Sequence, residues 1–222
     1  MINMNKGLLF LILVFSVFRL YAQEYNVNMD DRDSAINITN RAVKRIQAKD
    51  YNQAIKLIMD AVNYDSTFRG VYTVLYNASV AAKNFSPEVK RIMEKGNRIL
   101  ADDDEISFYL AEIYRMNNEI DSALNLYTYS INLSKINGED FELVYLYYFN
   151  RGNCFLKKEQ YQLAIEDYNY SLKLKPNNAN VLFNRGVCFY KIKENVKACD
   201  DWKKSSELGS SISFQYLNNH CK

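Results

Sequence analysis

The chain repeats itself across two consecutive stretches of 34 residues, YLYYFNRGNCFLKKEQYQLAIEDYNYSLKLKPNN (145–178) and ANVLFNRGVCFYKIKENVKACDDWKKSSELGSSI (179–212). Both stretches carry the tripeptide Asn-Arg-Gly, at 150–152 and again at 184–186, and a Cys-Phe pair follows one residue later. An alanine, an aromatic residue and a serine recur at the same offset: Ala164 with Ala198, Tyr168 with Trp202, and Ser171 with Ser205. So many coincidences at one offset predict a tandem structural repeat.

The same frame extends towards the N-terminus, where Ala111 marks a third copy and Ala42 a first one. Ala111 lies 41 residues before Gly152, which predicts an insertion of about seven residues around 135–140. We therefore predict five helix pairs, the second being the least marked, at about residues 35–68, 69–103, 104–137, 145–178 and 179–212. We expect an N-terminal extension over 23–34. A capping helix over 213–222 should cover the last apolar face, as the end of a repeat stack requires.

The repeat resembles the tetratricopeptide repeat, in which an aromatic-x2-Leu-Gly-x2-Tyr pattern precedes Ala-x3-aromatic and a proline. In the first clear copy the matching residues are Tyr148, Gly152, Phe155, Ala164, Tyr168 and Pro176. Arginine stands where the family usually has leucine. The resemblance implies an all-α fold, a right-handed superhelical solenoid of about five helix pairs with a C-terminal capping helix. It also implies that the first helices of the pairs line a concave groove for a protein or peptide partner.

A stripe on these first helices, opposite their packing positions, supplies the candidate binding residues. In the last two pairs it comprises Phe149, Asn150, Asn153, Leu156, Lys157, Phe183, Asn184, Val187, Tyr190 and Lys191, and the third pair adds Phe108, Tyr109, Glu112 and Arg115. Asparagine carboxamides donate and accept hydrogen bonds, which suits the backbone of an extended peptide whatever its sequence. The Lys and Arg set that chaperone-binding members of the family place around the asparagine is missing here. We therefore do not expect recognition of a chaperone tail.

Two ion pairs are predicted within the last two repeats. In an antiparallel helix pair, residues equally far from the turn lie side by side. This brings Arg151 towards Asp167, and Arg185 towards Asp201. We expect both pairs to stabilise the fold rather than to bind a partner, because loss of one member would leave a partly buried charge unpaired.

The other copies vary these two positions together or break the pattern. The third copy has Leu110 and Leu126 there, so both members of the pair are replaced by apolar residues. The first copy has Arg41 with Leu57, an arginine without its aspartate. The joint change in the third copy supports contact between the two positions.

The four cysteines do not form C-x-x-C pairs, and no histidines accompany them, so a zinc site is not expected. Cys154 and Cys188 share one inward repeat position and are predicted to be buried thiols. Bacterial proteins of this family often resemble Ala-Cys-x-Asp-Trp-Lys-Lys near their end, with a cysteine just before the terminus, as in residues 198–204 and Cys221. The resemblance implies a disulfide between Cys199 and Cys221 that fixes the cap; free thiols are the alternative.

Residues 1–22 have the organisation of a secretory signal peptide. Lys6 precedes an apolar run of 12 residues at 7–18, and Ala22 offers a cleavage site. The run is shorter than the roughly 18 residues that a spanning helix needs. We expect export to the periplasm or cell surface of a Gram-negative bacterium, and no membrane span in the mature chain. An uncleaved N-terminal anchor is the alternative.

Charge and histidine content narrow the function class. The formal net charge of +2 gives no reason to expect nucleic acid as a partner, and the single histidine, His220, argues against a Ser-His-Asp relay or a histidine-rich metal site. We expect no enzymatic activity, no metal and no cofactor. We predict an exported protein-interaction scaffold. The alternatives are an assembly or accessory factor of an envelope or secretion complex that uses its convex face, and a small-ligand binder or enzyme.

Overall fold

The computed structural model describes residues 27–139 and 142–221, and the predicted signal segment lies outside these ranges. Within them every regular element is an α-helix, so the predicted all-α class is confirmed. The helices are α1 (Met29–Gln47), α2 (Tyr51–Tyr64), α3 (Arg69–Ala82), α4 (Pro87–Ile99), α5 (Asp104–Met116), α6 (Ile120–Asn137), α7 (Val144–Lys157), α8 (Tyr161–Leu174), α9 (Ala179–Lys191), α10 (Asn195–Glu207) and α11 (Ser211–His220). None of these described helices is long and apolar enough to cross a membrane.

The first ten helices form five pairs, α1–α2 to α9–α10, and all five turns have the same backbone conformation. One residue in each turn has a positive φ between 53° and 66°; these residues are Lys49, Lys83, Asn118, Glu159 and Lys193. The next N–H donates back across the turn to the end of the first helix, as from Asp50 to Arg45 at 2.8 Å, which closes a Schellman motif. Successive turns are 34, 35, 41 and 34 residues apart, as the sequence frame requires.

The two helices of a pair approach closely because a small residue on one faces a large ring on the other. A Cβ atom added to Gly152 would lie 2.7 Å from the ring of Tyr168, and one added to Gly186 would lie 2.6 Å from that of Trp202. Both contacts are closer than a side chain tolerates. Glycine on the first helix and an aromatic residue on the second therefore set the spacing of the last two pairs.

The second pair reverses this arrangement. Its glycine, Gly96, lies on the second helix, and the facing ring, Tyr72, lies on the first, so that an added Cβ would stand 2.5 Å from the ring. The helices pack by the same small-against-large rule with the two roles exchanged. This reversal explains why the second copy is the least marked in the sequence.

Three predicted boundaries differ from the structure. Residues 29–34, predicted as an extension, form the first turns of α1, because Asn28 caps the helix by accepting the N–H of Asp30. Arg32 also pairs with Asp65 in the loop after α2, which holds this turn in place. The cap begins at Ser211 rather than 213, with Ser210 as its N-cap. Part of the predicted insertion lengthens α6, which runs for 18 residues.

Candidate functional site

The first helices form the inner layer of the stack. α1 contacts α3, α3 contacts α5, and α7 contacts α9, whereas the second helices pack chiefly against the first helices on either side. In a curved stack the elements of the inner layer lie closer together than those of the outer layer. The inner face is therefore the surface on which the predicted groove residues lie.

Three asparagines on this face form a hydrogen-bonded ladder across three pairs. Asn150 Nδ2 donates to Glu112 Oε1 at 2.8 Å, and Asn153 Nδ2 donates to Asn150 Oδ1 at 3.3 Å. Asn184 Nδ2 donates in turn to Asn153 Oδ1 at 2.8 Å, and the Tyr168 hydroxyl donates to the same oxygen at 2.8 Å. The ladder joins α5, α7 and α9 to one another.

Glu112 is the anionic end of the ladder and is only 5% exposed. Its carboxylate accepts from Arg115 at 2.7 Å and from the Tyr127 hydroxyl, as well as from Asn150. Burial raises the pKa of Tyr127, and the adjacent Glu112 charge raises it further. Burial alone would lower the pKa of Arg115, but its hydrogen bonds to Glu112 and the Glu112 charge raise it overall. The sequence predicts that Glu112 faces the groove, but in the structure its carboxylate links α5 to α7 by accepting a hydrogen bond from Asn150.

The expectation that the asparagines grip a peptide backbone has to be revised for Asn150 and Asn153. Asn150 is 9% exposed, and both of its carboxamide atoms have partners inside the protein. Asn153 donates once and accepts twice within the ladder. A buried polar group requires an internal partner, and neighbouring pairs supply one here. These side chains join the pairs to each other.

The cap lies against the C-terminal end of the predicted stripe. The Phe183 ring meets the Tyr216 ring edge-on at 5.0 Å, and the Tyr190 ring lies 4.9 Å from that of His220. α11 therefore takes the place that the first helix of a sixth pair would occupy. Within residues 27–139 and 142–221, no comparable helix covers the inner face from α1 to α7.

The remaining predicted stripe residues are distributed along α7 and α9. Phe149 is half-buried, with its ring 6.1 Å from that of Tyr168, and Val187 is also half-buried. Lys157 Nζ donates to Asn118 Oδ1 in the turn of the third pair, and Lys191 is exposed. Of these four side chains, Lys157 and Lys191 are the two that the structure leaves open to solvent, at the ends of α7 and α9.

Four large apolar side chains remain exposed near the C-terminal ends of the first helices. We call this set the apolar stripe: Val43 (37% exposed), Val80 (39%), Met116 (45%) and Tyr190 (38%). They lie on α1, α3, α5 and α9, each within the last two turns. Single exposed apolar residues are common, but here one recurs near the C-terminal end of the first helix in four of the five pairs; among the described residues α7 contributes none.

Both predicted ion pairs are present and bidentate. Arg151 donates to the two oxygens of Asp167 at 2.8 and 2.6 Å, and Arg185 donates to those of Asp201 at the same distances. Burial raises the pKa of Asp167, and the Arg151 charge opposes that rise. Each arginine also donates to the second helix of the preceding pair, Arg151 to Thr128 and Arg185 to Asn169.

The cysteines divide into a bonded pair and two thiols. Cys199 on α10 and Cys221 after α11 form a disulfide with their Cα atoms 5.7 Å apart. Cys154 and Cys188 are buried and free, and burial raises the pKa of the former to about 11 and that of the latter to about 12. Across residues 27–139 and 142–221, no group of three or more His, Cys, Asp or Glu side chains is arranged to hold a metal ion.

This architecture of stacked antiparallel helix pairs with a terminal cap is that of a tetratricopeptide-repeat solenoid. Residues 148–193 match the family model described as TPR repeat. The match thus covers part of α7 and all of α8 and α9, and the described chain as a whole shares the fold of tetratricopeptide-repeat proteins. No protein of curated function matches the chain significantly.

Several solved structures share the fold at low sequence identity. The crystal structure of MamA superposes with a TM-score of 0.66 at 16% identity, covering 75% of this chain and 93% of MamA. YrrB, described as a TPR protein with an unusual peptide-binding site, gives 0.65 at 19% identity, covering 86% and 95%. PilF of Pseudomonas aeruginosa gives 0.68 at 14% identity, covering 82% and 79%. Similarity at this level of identity establishes the architecture.

Proposed function

We propose that this chain is a non-enzymatic protein-interaction scaffold that binds an extended segment of a partner protein along the inner face of α1, α3 and α5, where three of the four residues of the apolar stripe lie. The apolar stripe carries the proposal, because exposed apolar side chains that recur along one face are typical of protein contacts. The asparagines nearest to it are engaged in the ladder, so apolar contacts rather than carboxamides supply the recognition. YrrB, which shares the fold, is described as having an unusual peptide-binding site, and this supports binding of a peptide segment here.

We further propose that the scaffold is exported to the periplasm or cell surface of a Gram-negative bacterium. The organisation of residues 1–22 is that of a signal peptide. The Cys199–Cys221 disulfide supports the same compartment, because structural disulfides persist in oxidising environments and are rare in the cytosol. Fractionation of cells that express the full chain, with a cytosolic marker followed in parallel, tests this part; recovery with the cytosolic marker would contradict it.

The binding proposal is tested by placing a charge in the apolar stripe. Val80→Glu introduces a carboxylate at the middle of the stripe, where desolvating it on binding is unfavourable. We expect it to abolish partner capture by a photo-crosslinking residue placed at Met116, with the helical content unchanged. The matched control is Leu163→Glu on α8, since Leu163 is similarly exposed but lies on a second helix. Loss of capture with the Leu163 variant alone would instead identify the convex face, as expected of an accessory factor of an envelope complex.

A further inference from the structure

Arg41 on α1 stands at the repeat position of Arg151 and Arg185 but lacks the carboxylate that those two arginines bind. The position of Asp167 and Asp201 is taken in the first pair by Leu57, which is buried. Within the described residues, no carboxylate oxygen lies within 4.0 Å of the Arg41 guanidinium. The repeat thus presents here an arginine in a carboxylate-binding position without its internal partner.

Arg41 lines a cavity between α1 and α2 that is strongly basic. The cavity has a volume of about 330 Å³, and its walls are formed by Arg41, Lys44, Arg45, Ala48, Gln53 and Leu57. Of the three cations, Arg45 makes only a long contact to Asp50, at 3.6 Å. Lys44 has no carboxylate within 4.0 Å in the part of the chain that the structure describes. Lys49 in the turn between the two helices and Lys56 on α2 add positive charge to this end of the pair without lining the cavity. None of the lining residues belongs to the apolar stripe.

The cavity is also open towards the start of the helix stack. In the later pairs the equivalent arginine is covered from the N-terminal side, since Arg151 reaches Thr128 and Arg185 reaches Asn169 on the preceding second helix. No helix precedes α1 in the described part of the chain, so nothing there covers Arg41 in this way. The side chain is exposed, and its donors are available to a group from outside.

We propose that this N-terminal basic cavity binds a carboxylate from an acidic segment of a partner protein. The guanidinium would make the bidentate contact that the same position makes with Asp167 and Asp201, and Lys44 and Arg45 would add charge around it. The chain's own first 26 residues match the cavity poorly, because they contain one carboxylate, Glu24, against two cations, Lys6 and Arg19. The site is separate from the inner face and does not depend on the function proposed for that face.

The test uses the full chain and two labelled peptides, one rich in glutamate and one with every glutamate replaced by glutamine. Arg41→Gln removes the guanidinium from an exposed position. Leu57→Asp supplies the internal carboxylate found in the later pairs, which would occupy Arg41 and compete with the peptide. We expect each variant to weaken binding of the glutamate peptide by about tenfold, in line with loss of one charged bidentate contact. The matched control, Lys203→Gln on α10, removes one exposed charge elsewhere and should change the affinity less than twofold.

Three results would overturn the proposal. Equal binding of the glutamine peptide would show that carboxylates are not recognised. Equal weakening by Lys203→Gln and Arg41→Gln would show diffuse attraction to the whole chain rather than a site. Binding to phosphatidylglycerol vesicles that depends on Arg41, without binding of the glutamate peptide, would assign the cavity to an anionic membrane surface. If the thermal melt shows that Leu57→Asp does not fold, the affinity of Arg41→Gln for the glutamate peptide alone tests the proposal. Loss of inner-face capture in Val80→Glu does not bear on this test, because that variant probes the other surface.

Discussion

At the residue scale, facing positions vary together in the second to fifth helix pairs, whereas the first pair has Arg41 with Leu57. Gly152 faces Tyr168, whereas Tyr72 faces Gly96, so the size of one residue fixes that of the other whichever helix carries the ring. The same holds for charge, since Arg151 has its aspartate within hydrogen-bonding distance. Because these positions are buried, a charge at one of them destabilises the fold when the opposite charge is missing. A small residue likewise leaves a destabilising void when no large residue faces it.

Removal of Asp167 should therefore destabilise the fourth pair by more than a surface substitution would. Asp167→Ala leaves the Arg151 guanidinium, whose side chain is only 18% exposed, without its carboxylate. We expect a loss of about 3 kcal/mol in the free energy of unfolding, at the lower end of the range for a broken buried ion pair. Urea denaturation followed by circular dichroism measures it.

A double variant provides the control for this prediction. Arg151→Leu with Asp167→Leu reproduces the Leu110 and Leu126 arrangement of the third pair, and it should recover most of the lost stability. A loss for Asp167→Ala far below that of the core truncation Ile165→Ala would show that the ion pair does not stabilise the fold.

At the scale of the element, α11 is held by one face and by its C-terminal end. Ser213 is its one buried residue in the described chain, and Phe214 on its outer side is 56% exposed. Tyr216 packs edge-on against Trp202 with the ring centroids 5.1 Å apart, and the disulfide fixes the end of the chain to α10. A ten-residue helix is marginal by itself in water, so these attachments hold it in place.

Loss of the disulfide should therefore release α11 before the rest of the solenoid. The double variant Cys199→Ser/Cys221→Ser is expected to lose about 3 kcal/mol, the value for a loop of this length. Hydrogen exchange should show lost protection over 211–220 while α7 and α8 keep theirs. Unchanged protection in the cap would contradict the prediction, as would free thiols at both positions in non-reducing peptide mapping of the unmodified chain.

At the scale of the whole molecule, the hydrogen-bonded ladder adds side-chain hydrogen bonds across two consecutive interfaces between pairs. A repeat stack has the stability of its units plus that of the interfaces between them. The insertion after α6 separates the third and fourth pairs, and the contact from Asn150 to Glu112 crosses this junction. Asn153 extends the connection to α9. We therefore expect the ladder to make the two halves of the stack unfold together.

Asn153→Ala should reduce this cooperativity. It leaves the Asn184 amide and the Tyr168 hydroxyl without their shared acceptor, at a cost of about 1–3 kcal/mol. The single tryptophan, Trp202, reports on the last pair by fluorescence, while circular dichroism reports on all helices. The two urea transitions should coincide in the unmodified chain and separate in the variant. Coincident curves in Asn153→Ala would show that the ladder carries no coupling; Asn132→Ala, at an exposed site on α6, is the control.

Local regularity explains why much of the fold is predictable. The 34-residue offset, the Asn-Arg-Gly tripeptides and the paired Ala164 and Ala198 determine helix pairs and their number, because each pair needs the same small and aromatic residues at the same spacing. The second pair is weak in the sequence because Gly96 and Tyr72 exchange roles. The predicted start of α1 is too late because the residue that caps this helix, Asn28, lies outside the repeat frame.

The orientation of polar side chains is the part that the sequence leaves open. Asn150 has the helix position of a ligand-facing residue, yet it is buried against Glu112, 38 residues earlier in the chain. Phe183 likewise has a groove position, but the cap packs onto it. Whether such a residue faces solvent or a neighbouring helix depends on distances between pairs, which no periodicity encodes.

The sequence by itself determined that this protein is a stack of helix pairs, since covalent spacing and side-chain size act within one pair. Only the tertiary structure decided which surfaces remain open: the apolar stripe on the inner helices, and the basic cavity in which Arg41 meets Leu57 instead of an aspartate. The physical reason is that exposure is a property of how pairs are stacked. The two identical Asn-Arg-Gly tripeptides, at 150–152 and 184–186, can therefore lie in different surroundings in the folded protein.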